Sequence, residues 1–166
     1  LPEWDVPPPA QLDRLAAAPI EGPPRRLALL LACTARVDDL EAVLDRLRLF
    51  AWLGYDVRGQ ALALSSAGRA GPDAQSAATR ARWLAETLEV ELMGILTQDE
   101  GLLAAAAELG IGRAPLLPLI SGRDLMDHGF HPGPEMGALL RRVRTEQLNG
   151  HVSSPAAAIQ WARSHV

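Results

Sequence analysis

The 166-residue chain contains no lysine, and its sixteen basic side chains are all arginine. A GC-rich coding bias would have the same outcome; physically, every basic site holds a planar, permanently charged group able to donate two parallel hydrogen bonds. Positive charge is also in deficit, because twenty carboxylates leave a formal net charge of −4. The chain is therefore no polycation, and any nucleic-acid site must be a local patch. Cysteine is nearly absent: Cys33 alone makes no internal disulfide, which fits a reducing, cytoplasmic compartment. All four histidines lie far from it in sequence, so Cys33 reads as a buried structural thiol rather than a nucleophile. Val, Ile and Thr supply only 18 residues together, whereas Ala and Leu supply 28 each. Strands favour the branched residues that are scarce here, so the expected fold class is all-α. No apolar run approaches the roughly 20 residues of a membrane span. Arg25-Arg26 followed by Leu27 to Cys33 imitates a secretion signal with a lipid-modified cysteine, but the run is short and reads as a buried helix. The length excludes a large multidomain enzyme and suits one domain or two small helical ones. A start at Leu1 rather than Met leads us to expect a piece of a longer protein.

Residues 1–9, with four prolines and Trp4, read as a lead-in. Helices are then expected over about 10–18 and 25–35, and from Asp38-Asp39, where Leu40, Val43, Leu44 and Leu47 form one buried stripe. Further helices are expected over 53–67, from an Asp73 N-cap to Leu88, over 89–96, and over 98–109 with Gly110 and Gly112 beyond. Residues 1–112 thus read as a multi-helix body.

From Arg113 the character changes. Pro115 and Pro118 make an extended connector, and Ser121-Gly-Arg-Asp124 has the form of a capping box. A second helix starts at Pro132-Gly-Pro134, where Pro134 suits the first position, and buries Met136, Leu139, Leu140 and Val143. Gly137 inside it suggests a close contact, here with the preceding short helix. Asn149-Gly150 ends that helix and Ser154-Pro155 starts the last. The expectation for 113–166 is a small C-terminal three-helix tail.

No complete catalytic constellation is visible, so no residue is assigned a catalytic role. Asp38-Asp39, Asp99-Glu100 and the pair Asp124 and Asp127 read as charges in first helical turns, not as ligands of paired metal ions. His128 and His131 straddle Gly129 with no third ligand near in sequence, so no metal site is expected. What remains is arginine. Six arginines against four carboxylates put residues 113–166 at +2, which leaves residues 1–112 at −6. On the helix from Pro134, Arg142 is placed on the far face, with Arg141 and Arg144 flanking the buried stripe. These three make a fan that can bond successive phosphates, or else a solvated basic face, and Arg123 and Arg163 join them as candidate RNA contacts.

Several features recur in order across residues 119–166: Gly122-Arg123-Asp124-Leu125, then Gly129, then Pro132-Gly133-Pro134 with Gly137 and Leu140. Gln147-Leu148-x-Gly150 and Ala158-x-x-Trp161-Ala162 complete the set. This resembles the C-terminal tail of the bacterial tRNA nucleotidyltransferase and poly(A) polymerase family, which includes the CCA-adding enzymes. Leu1-Pro-Glu-Trp4 is compatible with the close of that family's neck. The resemblance implies an RNA-holding body and tail that engage the acceptor and TψC arms of tRNA. The family's polymerase head motifs do not occur here, so Mg2+ and nucleoside triphosphates are expected only for a head lying upstream or on another chain. By that reading the chain adds no nucleotides alone. About five Arg contacts would weaken binding by roughly 0.7 to 0.9 log units each per tenfold rise in salt. A competing reading is a protein-interaction module or homodimer, joined through apolar faces around Trp52, Trp83 and Trp161; a stand-alone hydrolase is a third.

Overall fold

The computed structural model describes residues 9–34, 37–67 and 76–165. The fold is all-α, with no strand among the described residues beyond a single isolated bridge between Trp52 and Tyr55. None of their helices is long and apolar enough to cross a membrane. The chain divides into two compact units, one ending at Pro115 and the other beginning at Leu116.

In the first unit, α1 (Pro9–Ala17), α2 (Pro23–Thr34), α3 (Val37–Leu47) and α4 (Val57–Ala67) precede α5 (Ala77–Leu84), α6 (Val90–Thr97) and α7 (Glu100–Leu109). α2 packs on α3, α4 and α6, while α7 packs on α5 and α6. Ala28 and Leu31 of α2 meet Leu40 and Leu44 of α3 and Val57 and Ala61 of α4 in one cluster. The stripe expected on α3 is only half realised. Leu40 and Leu44 are fully buried, but Leu47 at the end of the helix is 62% exposed. The chain turns away just after it, where Arg48 takes a left-handed φ of 51°.

The helix expected over 53–67 begins only at Val57, because Trp52 to Tyr55 form a two-residue hairpin. Trp52 and Tyr55 exchange both backbone hydrogen bonds, at 2.9 and 3.0 Å. Asp56 then caps α4, its carboxylate accepting the Gly59 amide at 2.8 Å. Asp73, the expected cap of the next helix, lies outside the described residues; the N-cap of α5 is Ser76, which accepts from Thr79. α6 buries Val90, Leu92 and Met93, and Gly94 lets it approach α7. A Cβ on Gly94 would lie 2.6 Å from the Leu103 side chain. Asp99 caps α7 by accepting from Leu102 and also pairs with Arg80 of α5. One side chain thus begins α7 and ties it to α5.

The second unit holds α8 (Gly122–Asp127), α9 (Pro134–Asn149) and α10 (Pro155–Arg163). Its core gathers Leu125 from α8, Leu139 and Val143 from α9, and Ala158, Ile159 and Ala162 from α10. Ser121 and Asp124 form a full capping box, each side chain accepting from the other's backbone amide. Pro134 is at the first position of α9, and Ser154 caps α10 ahead of Pro155.

Two expectations are corrected here. Asp127 is the last residue of a six-residue helix, so it cannot be a first-turn charge. Gly137 is not the point of close approach, since a Cβ there would meet only the Arg141 guanidinium, at 3.7 Å. That role belongs to Gly122, where a Cβ would already touch Met136 and Leu140 at 3.5 and 3.8 Å. The shorter helix carries the small residue because the longer one supplies the large side chains.

Candidate nucleic-acid interface

The five arginines singled out in the second unit come from all three of its helices, and folding gives them different tasks. Arg123 is the second residue of α8, exposed because Leu125, two positions on, takes the inward direction. Arg141 on α9 is likewise exposed. Arg142, one residue on, is exposed too, with its guanidinium carbon 5.3 Å from the centre of the Trp161 ring and Nη1 donating to the His165 carbonyl at 3.3 Å. Arg163 at the end of α10 is exposed.

Arg144 differs. It is half-buried, and its guanidinium donates to the Leu116 carbonyl and, at 2.7 Å, to Oε1 of Gln147. Gln147 is itself buried, donating to the Leu117 carbonyl at 2.8 Å and accepting the Leu119 amide at 3.3 Å. Arg144 therefore holds the extended connector onto α9. The guanidinium is committed internally, which reduces the five candidate arginines to four outward ones.

Arg142 and Arg163 converge on a cleft of about 760 Å³ whose other walls include Phe130, Met136 and Leu139. His128, His131 and His165 line the same cleft, with Glu135 as its one carboxylate. Nδ1 of His128 lies 2.8 Å from the Asp124 carbonyl, and Nδ1 of His165 lies 2.8 Å from that of Trp161. A carbonyl only accepts, so Nδ1 of His128 carries the proton; Nδ1 of His165 also meets the Ser164 hydroxyl at 2.9 Å, and in both rings Nε2 is left for other partners. The His165 ring stacks on Trp161 with centres 3.8 Å apart. His151, the fourth histidine, sits apart from the cleft and pairs with Glu146.

In the sequence, His128 and His131 suggest metal ligands alone, and His165 carries no signal. Among the described residues no group of three or more His, Cys, Asp or Glu could hold a metal ion. The cleft left no local signal, since its histidines come from two segments more than thirty residues apart that meet only through packing.

Gly129, Gly133 and Gly150 serve the backbone. Gly129 and Gly150 take left-handed φ angles of 89° and 84°, the second closing α9, and Gly133 is the extended N-cap of that helix. Asp124 is held below the usual carboxylate range by the Ser121 hydroxyl and then by the Ser121 amide. In the first unit Cys33 is half-buried, and burial pushes its thiol up to about 11, which leaves little thiolate near neutrality. Compared with protein-family models, with curated proteins and with solved structures, the chain matches none of them.

Proposed function

We propose that this chain is the RNA-holding body and tail of a tRNA nucleotidyltransferase of the CCA-adding or poly(A) polymerase type. It positions the acceptor and TψC arms of tRNA for 3′-end addition by a catalytic head outside these residues, and any Mg2+ and nucleoside triphosphates belong to that head. The observation that carries the reading is the outward set Arg123, Arg141, Arg142 and Arg163, drawn from three helices of one small unit. Duplex RNA hides its base edges in a deep, narrow groove, so it is held by shape and by phosphate contacts, which need arginines spread over a surface. Four such contacts give binding of a tRNA acceptor minihelix a log–log salt slope of about −3. Affinity for the minihelix that does not change between low and moderate salt overturns the reading.

A second reading rests on the first unit, where Phe50, Trp52 and Leu53 stand 57%, 40% and 79% exposed beside Leu47. Such an apolar cluster favours a protein-docking or dimerisation module. Concentration-dependent sedimentation together with no minihelix binding selects it.

A further inference from the structure

We infer that the cleft between α9, α10 and the 128–131 loop receives one unstacked nucleotide, with its base against the planar side chains and its phosphate on Arg142 and Arg163. The inference rests on the RNA-holding reading for its biological source, though not for its chemistry.

Three observations carry it. First, the cleft has about 760 Å³, within the range of sites that enclose small organic ligands. Second, its lining is unusually rich in flat groups: Phe130, three imidazoles and two guanidiniums surround it, in a chain whose aromatic content is only 4%. Unpaired bases are recognised by stacking on such side chains and on guanidinium planes. An acyl chain or an aliphatic peptide side chain would be better served by a continuous aliphatic wall, which the histidines and arginines interrupt. Third, the charge at the rim is two arginines against Glu135, so an anion is favoured there. The unused Nε2 atoms of His128 and His165 offer hydrogen bonding to a base edge or a ribose hydroxyl.

The histidines themselves provide the test, because three line the cleft and His151 does not. Adenosine 5′-monophosphate is titrated into the full 166-residue chain while the four imidazole proton signals are followed by NMR. The expected result is saturable movement of the His128, His131 and His165 signals with His151 unmoved, and about tenfold weaker binding in Arg163→Ala. Arg142 also packs on Trp161; Arg163→Ala, at an exposed helix end, keeps the test clear of folding effects. Arg123→Ala leaves nucleotide affinity unchanged while weakening minihelix binding.

A minihelix with a single-stranded 3′ overhang moves the same three signals if the nucleotide comes from RNA. Inorganic phosphate that reproduces the shifts at equal concentration overturns the nucleotide in favour of a bare anion site. Absence of movement up to roughly 10 mM nucleotide, a limit that covers even weak binding, overturns the cleft inference. If minihelix binding persists in that case, the RNA-holding reading stands without the cleft; nucleotide binding without minihelix binding has the opposite meaning.

Discussion

Asp124 shows how much one carboxylate can settle locally. It accepts from both the Ser121 hydroxyl and the Ser121 amide, at 2.7 Å each, and these bonds lower its pKa. A carboxyl with a folded pKa below its unfolded value near 3.9 stabilises fully above that value and ceases to do so as pH falls through the folded one. Ser121→Ala therefore lowers the urea midpoint at pH 7, and the difference from the parent narrows below about pH 4 as Asp124 protonates. Circular dichroism at 222 nm across a pH series checks this. The motif was legible because a capping box is a spacing of four residues, all local. Arg144 was not. On a helical wheel it flanks the buried stripe like Arg141, and only the return of the 116–119 segment beside Gln147 turns it inward.

At the level of elements, starts and stops were read from residue chemistry and burial from periodicity, with unequal success. Asp99, Ser154, Pro134 and the left-handed glycines Gly110 and Gly150 end or begin helices where their backbone preferences demand it. The hairpin at 52–55 was missed because its turn residues are the wrong ones. Leu53 and Gly54 both have positive φ, 52° and 79°, the pattern of a type I′ turn in which Asn-Gly is preferred. Leu53 is 79% exposed, so packing does little to offset the strain. Leu53→Asn should raise stability by about 0.5 to 1 kcal/mol, seen as a higher melting temperature. Gly94→Ala should act in the other direction. The added methyl improves helix propensity by about 1 kcal/mol, but overpacking against Leu103 costs about 1 to 3 kcal/mol. A net loss of about 1 kcal/mol in urea unfolding is the expected outcome.

Across the whole molecule, composition was the strongest guide to fold class. Abundant Ala and Leu with few branched residues correspond to ten helices among the described residues, and the charge contrast of −6 before residue 113 and +2 after it places the basic surplus in the last third. The cleft could not be read this way, since it depends on which helix faces meet. The second unit has its own core, side-chain N-caps on two of its helices, α8 and α10, and a buried glutamine with its amide hydrogen-bonded. Residues 116–166 produced alone should therefore keep helical circular dichroism and a cooperative, if shallow, thermal transition, since the unit lies above the roughly 40 residues below which domains usually need disulfides, metals or oligomerisation. A featureless coil spectrum would contradict that.

Arg144 and Gln147 have a further consequence, for the order in which the chain assembles and comes apart. Tying α9 to the Leu116 and Leu117 carbonyls closes a loop of about thirty residues by hydrogen bonds, next to Leu119 and Ile120 packed in the unit's core, with no sulfur to make the closure permanent. Loop closure of that span costs about 3 kcal/mol of chain entropy by the logarithmic law, so it follows rather than precedes formation of α9. In hydrogen exchange the Leu119 amide, held by Gln147 at 3.3 Å, should lose its proton well before the Val143 amide in the middle of α9.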